Sequence, residues 1–217
     1  MKIIDAVENE KIVVIVRGVK SDKLIPFAEA MYNGGIRLLE ITYSADQKVS
    51  DNETAANIKN LKEHFGEKMY IGAGTVLTPE QVELTKNAGG EFIISPDTNP
   101  EVIKRTKELG MVSMPGAFTP SEIRSAYFNG ADFVKVFPAV SVGPEYIKAV
   151  KAPLSNIKLL AVGGINLNNI AEYIKAGVCG FGIGGNIVNK SMLDNNDFDG
   201  LTQLAADYAE AVREAGK

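Results

Sequence analysis

The chain has 217 residues, of which 45% are hydrophobic and 23% are charged, and its formal net charge is −4. This length and apolar content suit one compact domain over residues 1–217, with no linker or disordered tract. The acidic balance excludes nucleic acid as the main partner, because a phosphate backbone requires a basic surface.

The amino terminus and the cysteine usage indicate a cytoplasmic protein with no membrane partner. The first residues, MKIIDAVENEKIV, lack the apolar core of a signal peptide. No run approaches the roughly 20 apolar residues that a membrane span needs. The single cysteine, Cys179, excludes an internal disulfide and fits a reducing compartment. Its glycine-rich surroundings predict a buried structural thiol.

Short apolar, β-branched runs alternate with segments of helical period along the whole chain. A leading helix is expected over Lys2–Glu8 and a last helix over Leu201–Ala215. Because each apolar run is nearly continuous, we expect strands that are buried on both faces. Eight such runs are found: Ile12–Val16, Leu38–Thr42, Tyr70–Ala73, Phe92–Ser95, Val112–Met114, Phe133–Phe137, Lys158–Val162 and Gly180–Ile183.

Helix-start signals precede several of the intervening segments: Ser21-Asp22, Thr78-Pro79-Glu80 and Thr119-Pro120-Ser121-Glu122. Glycines close many of these segments, as a left-handed helix cap requires. Strand, helix and glycine recur at the period of a βα unit, roughly every 20 to 25 residues. The pattern predicts an α/β fold, a single-domain (β/α)8 TIM barrel. An open doubly wound sheet is the alternative, but eight units favour closure.

In such a barrel, function resides where the strands end at their carboxyl side. Lys135 lies in the sixth run, FVKVFP, and would project into the barrel. Burial would lower its pKa and leave a neutral amine, which is a nucleophile toward a carbonyl carbon. The alternative is a lysine that reaches solvent or pairs with a carboxylate such as Glu40.

Glu40 ends the second run, LLEIT, and is a candidate for moving protons beside that amine. Its alternative role is a buried ion pair with Arg17 or Lys135. Arg17 and Thr75 are two more polar residues at or just beyond the ends of apolar runs.

Glycine pairs follow the seventh and eighth runs, in AVGGIN and GFGIGGNI. In a barrel these two loops commonly form a phosphate site from backbone N–H groups. Such a site would hold an anion in an acidic protein, although a tight turn also needs glycine. No metal site is predicted, because the single histidine, His64, lies in a helical segment and is expected at the surface.

Seven motifs occur in order along the chain: VRG, LLEIT, IGAGTVLTPEQ, FIISPD, PGAFTPSE, FVKVFPA and AVGGIN. Together they resemble the 2-keto-3-deoxy-6-phosphogluconate (KDPG) and 4-hydroxy-2-oxoglutarate (KHG) aldolases, including the 6-phosphogalactonate branch. The resemblance implies a class I aldolase that cleaves a small 2-keto acid, in most cases phosphorylated, to pyruvate and an aldehyde. It also implies a homotrimer and no cofactor.

The resemblance assigns roles residue by residue. Lys135 would form the Schiff base and Glu40 would shuttle protons. The substrate would be bound by five residues: Arg17, Thr75, Pro96, Phe137 and Val162. Its phosphate would be held by five more: Gly163, Gly164, Gly184, Gly185 and Asn186.

Two positions depart from the gluconate-type pattern. Ser44 stands where that pattern has an arginine for the keto-acid carboxylate, and Val162 stands where it has a threonine. A threonine hydroxyl can orient the C4 hydroxyl of one epimer, and valine cannot. The departure favours the galactonate epimer.

Two other functions fit the same residues. A phosphosugar isomerase or epimerase would use the phosphate loops with Glu40 as base, and Lys135 would then only stabilise an enediolate. A non-catalytic barrel that binds a phosphometabolite would show ligand-induced stabilisation without turnover.

Overall fold

A computed structural model describes residues 3–216 of the chain. The strands are β1 Ile12–Val16, β2 Leu38–Thr42, β3 Tyr70–Gly74, β4 Phe92–Ile94, β5 Val112–Met114, β6 Gly116–Ala117, β7 Val134–Val136, β8 Leu159–Val162 and β9 Gly180–Ile183. The helices are α1 Ile3–Glu10, α2 Ser21–Asn33, α3 Asp51–Phe65, α4 Pro79–Asn87, α5 Pro100–Glu108, α6 Pro120–Phe128, α7 Gly143–Lys151, α8 Ile170–Lys175, α9 Lys190–Asp194 and α10 Phe198–Ala215. None of these helices is long and apolar enough to cross a membrane.

The strands form one parallel sheet that closes on itself. β1 pairs with both β2 and β9, and β5 pairs with β4 while β6 pairs with β7. The fifth predicted strand, Val112–Met114, is observed as β5, and Pro115, which has no N–H, separates it from the two-residue strand β6, which was not predicted. The Pro115 carbonyl accepts the Lys135 N–H at 2.9 Å and bridges the break. The predicted (β/α)8 barrel is confirmed, and the open doubly wound sheet is excluded.

The predicted helix starts at Thr78 and Thr119 are confirmed, because each side chain accepts the N–H three residues later. The helix start predicted at Ser21 is also confirmed, since α2 begins there, although its N-cap, Lys20, forms no side-chain capping bond. The leading helix is described from Ile3 onwards, and Lys2 lies outside the described residues. Cys179 is half-buried, not fully buried, because it lies at the edge of the interior cluster.

Alternate residues of each strand divide the apolar core into two layers, as the two-residue period of a strand requires. The layer inside the barrel includes Val13, Leu38 and Phe133, and α1 closes its lower end with Ala6 and Val7. The outer layer lies between the strands and the ring of helices. The same alternation directs Lys135, two residues after Phe133, into the barrel.

Glycines on β3 and β9 make room for large groups inside the barrel. A Cβ at Gly72 would overlap the ring of Phe92, which is fully buried. A Cβ at Gly182 would lie 2.9 Å from Val162 and 3.1 Å from Ile15. Large side chains such as Phe92 therefore pack directly against the glycine backbone of β3, and Val162 and Ile15 pack against that of β9.

We expect Gly72→Ala to destabilise the fold by about 1–3 kcal/mol, because the added methyl group forces the Phe92 ring out of place. Urea unfolding measures the change. Phe92→Leu should partly relieve the overlap, so the double variant should be less destabilised than the sum of the single variants. Gly185→Ala is the control, since its Cβ meets no atom within 4 Å. Strict additivity of the two changes would contradict the packing described here.

Candidate active site

A cavity of about 570 Å³ opens at the carboxyl ends of the strands. This volume is in the range that small-molecule sites occupy. All twelve residues predicted for the site line it: Arg17, Glu40, Thr75, Pro96, Lys135, Phe137, Val162, Gly163, Gly164, Gly184, Gly185 and Asn186. Barrel closure thus brings together residues that are up to 169 positions apart in the chain.

Lys135 is the central residue of β7, and only 6% of it is exposed. Its Nζ atom lies 4.8 Å from the centroid of the Phe137 ring. Burial lowers the pKa of this amine below its ordinary value of 10.5, and the charge of Arg17 lowers it further, while Glu40 opposes the shift. The site therefore favours the neutral, nucleophilic form of the amine.

Glu40 projects inward from β2 and is only 1% exposed. Its carboxylate occupies the space that Gly74 leaves open, because a Cβ at Gly74 would overlap it. Burial raises the pKa of this carboxyl group, and the charges of Lys135 and Arg17 partly offset that rise. A carboxyl group with a raised pKa is suited to accept and return protons near neutral pH.

The ion pair considered as an alternative role for Glu40 is not formed. Among residues 3–216, no salt bridge within 4.0 Å joins Glu40 to Arg17 or Lys135. Its Oε2 atom has no hydrogen-bond partner among them. Within the described residues this oxygen is therefore available to accept a hydrogen bond from a water molecule or a ligand.

Arg17 and Thr75 lie together at the mouth of the cavity. The Arg17 Nη2 atom donates to Thr75 Oγ1 at 3.0 Å. Thr75 has a φ of +53°, a left-handed conformation that is unfavourable for a residue other than glycine. The loop after Thr75 is fixed by Gln81, whose Oε1 accepts the Leu77 N–H at 2.8 Å. A guanidinium group beside a hydroxyl is suited to bind an oxyanion.

The glycine-rich loops after β8 and β9 form the other side of the cavity. Gly163 and Gly164 have φ values of +94° and +78°, and a Cβ at Gly164 would collide with Val140. After β9, the Ile187 and Val188 N–H groups both donate to the Gly184 carbonyl. The loops therefore expose backbone to the cavity without side chains in the way.

Five lining residues were not predicted: Ile15, Ile165, Gly182, Ile183 and Val188. Ile15 lies beside Glu40 in the register of β1 and β2. Strand alternation from Val13 to Arg17 is a signal that would have placed Ile15 inside the barrel.

Ser44 and His64 lie outside the cavity lining. The Ser44 hydroxyl donates to Asp46 at 2.6 Å. His64 is on α3 with 41% of its side chain exposed, and its Nε2 atom lies 3.0 Å from Glu29 Oε1. The surface position predicted for His64 is confirmed.

A family model described as "Aldolase: KDPG and KHG aldolase" matches residues 3–204. The chain belongs to the KDPG and KHG aldolase family. Two curated members with similar sequences carry different substrate names. The 2-dehydro-3-deoxy-6-phosphogalactonate aldolase of Escherichia coli is 35% identical over 94% of this chain and 95% of its own. The 2-dehydro-3-deoxy-phosphogluconate aldolase of Haemophilus influenzae is 31% identical over 98% of this chain and 97% of its own.

A solved structure of this aldolase family shows the same fold with a reaction intermediate. The KDPG aldolase from Legionella pneumophila superposes with a TM-score of 0.84 at 28% identity, over 94% of this chain and 96% of its own. In that structure, pyruvate is captured as a covalent carbinolamine intermediate.

We expect the side chain of Lys135 to titrate below 10.5 in an NMR experiment, because burial disfavours its charged form. Glu40→Gln should lower the midpoint further, since it removes the negative charge that favours the ammonium form. Glu29→Gln, a change on the outer surface of α2, is the matched control and should leave the midpoint in place. An upward shift in Glu40→Gln would contradict the electrostatic coupling of the two groups.

Proposed function

We propose that this chain is a class I, Schiff-base aldolase. It cleaves a 2-keto-3-deoxy-6-phospho sugar acid, or 4-hydroxy-2-oxoglutarate, to pyruvate and an aldehyde. The aldehyde is glyceraldehyde 3-phosphate in the first case and glyoxylate in the second. The observation that carries the proposal is the buried Lys135 amine, with lowered pKa, in the same cavity as the unpaired carboxylate of Glu40.

The reaction begins when the neutral Lys135 amine attacks the C2 carbonyl and forms a carbinolamine. Glu40, in its protonated form, donates a proton to the carbinolamine hydroxyl, which leaves as water and gives a protonated imine. Glu40, through a water molecule, accepts the proton of the C4 hydroxyl while the electrons of the C3–C4 bond pass to the imine. The aldehyde leaves, and an enamine remains on Lys135.

Protonation of the enamine at C3 and hydrolysis of the imine release pyruvate and restore the amine. The imine itself accepts the electrons, so the proposal requires no cofactor and no metal.

Substrate binding divides between the two sides of the cavity. Arg17 and Thr75 would hold the anionic groups near the reacting carbonyl, with Pro96 and Phe137 against the carbon chain. The loops after β8 and β9 would hold the phosphate through N–H groups, at Gly163, Gly164, Gly184, Gly185 and Asn186. This arrangement lets an acidic protein bind a strongly anionic substrate.

Val162 supports the galactonate epimer as the preferred substrate. Its apolar side chain lines the cavity and is 3% exposed. It offers no hydrogen bond to the C4 hydroxyl. The Escherichia coli relative that is 35% identical carries the galactonate name, which agrees with this choice.

A homotrimer in the cytoplasm and a single domain over residues 1–217 are also part of the proposal. The trimer is supported by exposed aromatic side chains on α6, where Tyr127 is 40% and Phe128 is 69% exposed.

Borohydride reduction in the presence of pyruvate should add a reduced pyruvyl group to Lys135. Peptide mass spectrometry can locate this adduct. Lys135→Ala should show neither adduct nor pyruvate release in a coupled assay. Glu40→Gln should still form the adduct but turn over about 10²- to 10⁴-fold more slowly, because it loses the proton acceptor.

Two results would contradict the aldolase. Isomerisation of a phosphosugar without a trappable adduct would support the isomerase or epimerase. Stabilisation by phosphosugars without any turnover would support the binding barrel.

Val162→Thr should raise the ratio of kcat/KM for the gluconate epimer to kcat/KM for the galactonate epimer by roughly two- to tenfold, the scale of one hydrogen bond. Release of pyruvate from the gluconate, galactonate and hydroxyglutarate substrates measures the shift. Val162→Ile is the apolar control and should not change the ratio in that direction. An unchanged ratio in Val162→Thr would remove Val162 as the determinant of epimer preference.

A further inference from the structure

Asparagine side chains connect the two glycine-rich loops of the cavity. Asn186, after β9, donates through Nδ2 to the Ile165 carbonyl in the β8 loop at 2.7 Å. Asn166 and Asn169 donate through Nδ2 to the Gly164 carbonyl at 3.3 and 3.0 Å. Three carboxamides therefore fix two successive carbonyl groups of the β8 loop.

These bonds determine where the N–H groups of the same peptides point. In a planar trans peptide, the carbonyl and the N–H lie on opposite sides. The Gly163 carbonyl accepts the Val140 N–H at 3.1 Å, and the Gly164 carbonyl is held by the asparagines. The N–H groups of Gly164 and Ile165 belong to these two peptides. Neither donates to a protein acceptor within residues 3–216, so both are available to an anion.

The carboxamide of Asn186 is the link between the loops. Among the described residues, its bond to Ile165 is the one side-chain hydrogen bond that joins residues 163–169 to residues 184–189. One of the two Nδ2 hydrogens is used on that carbonyl, so the side chain acts on the loop. The backbone N–H of Asn186 is a separate group and is not affected by this role.

We infer that Asn186 is a positioning residue: it anchors Ile165 by its carbonyl, while Asn169 holds the Gly164 carbonyl, whose peptide carries the Ile165 N–H, and the two side chains together hold that N–H toward the substrate phosphate. The inference rests on the proposed function, because that function supplies the phosphate. It assigns to the two side chains an organising role that precedes ligand binding. The loop should therefore be ordered by Asn186 even in the unliganded protein.

Hydrogen exchange of the unliganded protein tests this role directly. Asn186→Ala should raise amide exchange at Asn166, whose N–H donates to Asn169 Oδ1 at 2.9 Å, because local opening of the loop becomes easier. Asn169→Ala should raise it as well, because it removes that acceptor. Asn186→Gln, which keeps a carboxamide donor, should retain more protection than Asn186→Ala. Asn168→Ala is the matched control: Asn168 lies in the same loop, and its side chain makes no hydrogen bond among the described residues. Unchanged exchange in Asn186→Ala would overturn the inference.

Kinetics distinguish a phosphate-specific role from a general structural one. Asn186→Ala should raise KM for the phosphorylated substrates by about fivefold, the scale of one hydrogen bond, with little change in kcat. Its kcat/KM for 4-hydroxy-2-oxoglutarate, which has no phosphate, should not change. An equal loss of kcat/KM on phosphorylated and unphosphorylated substrates would overturn the inference. A raised KM with unchanged loop exchange would also overturn it, because Asn186 would then be a direct ligand of the phosphate.

Failure of the proposed function would be recognised separately. A wild-type protein that releases no pyruvate from any substrate would refute the aldolase. Loop exchange would still report the asparagine bonds, and thermal stabilisation by inorganic phosphate would still report the anion site. In that case, weaker stabilisation of Asn186→Ala than of Asn168→Ala would support the inference, and equal stabilisation would overturn it.

Discussion

The removal of Lys135 and Glu40 from water is the constraint on which the rest of this structure depends. Each group lies inside the barrel, where burial disfavours its charged form, so the pKa of the amine falls and that of the carboxyl rises. The two shifts move toward each other, and the pair approaches the neutral forms. An ion pair would have reversed both shifts, but Glu40 Oε2 has no partner among the described residues.

Desolvation of this kind requires a closed, filled barrel. The lower end is closed by α1 and packed with large apolar side chains, whereas the upper end is opened by glycines. Gly74 supplies the space for the Glu40 carboxylate, and Gly72 supplies that for Phe92. A side chain at Gly74 would displace the Glu40 carboxylate, and one at Gly72 would displace the Phe92 ring from the core. The destabilising burial of two polar groups is thus offset by dense packing below them.

Much of this arrangement could be predicted from the sequence because strands have a strict period of two. Four of the eight predicted strands have the bounds observed, and each of the others differs by one residue at one or both ends. Lys135 and Glu40 were placed correctly because a polar residue in a short apolar run stands out. Position in the chain alone was compatible with either a catalytic pair or a salt bridge for these two residues. The resemblance to the family favoured the catalytic pair.

What the sequence did not reveal depends on contacts between distant segments. The two-residue strand β6, which follows Pro115, was not predicted, because it is defined by its pairing with β7 and has no apolar run of its own. The absence of a salt bridge at Glu40 depends on the depth of each side chain in the barrel. The bond from Asn186 to Ile165 joins two loops 21 residues apart, and no local pattern signals it.

Under the proposed function, the charges of the substrate explain why the proposed anion site is built largely from neutral groups. A bound phosphate or carboxylate near Lys135 would raise the pKa of the amine and so oppose its attack on the carbonyl. Arg17 counteracts this, since its positive charge lowers the pKa of both Lys135 and Glu40. Backbone N–H groups compensate the phosphate without adding a titratable group to the cavity. Under the proposed function their direction is therefore the property that must be fixed. The Gly164 carbonyl, held by Asn169, would set the direction of the Ile165 N–H, and Asn186 would anchor the same residue before the substrate arrives.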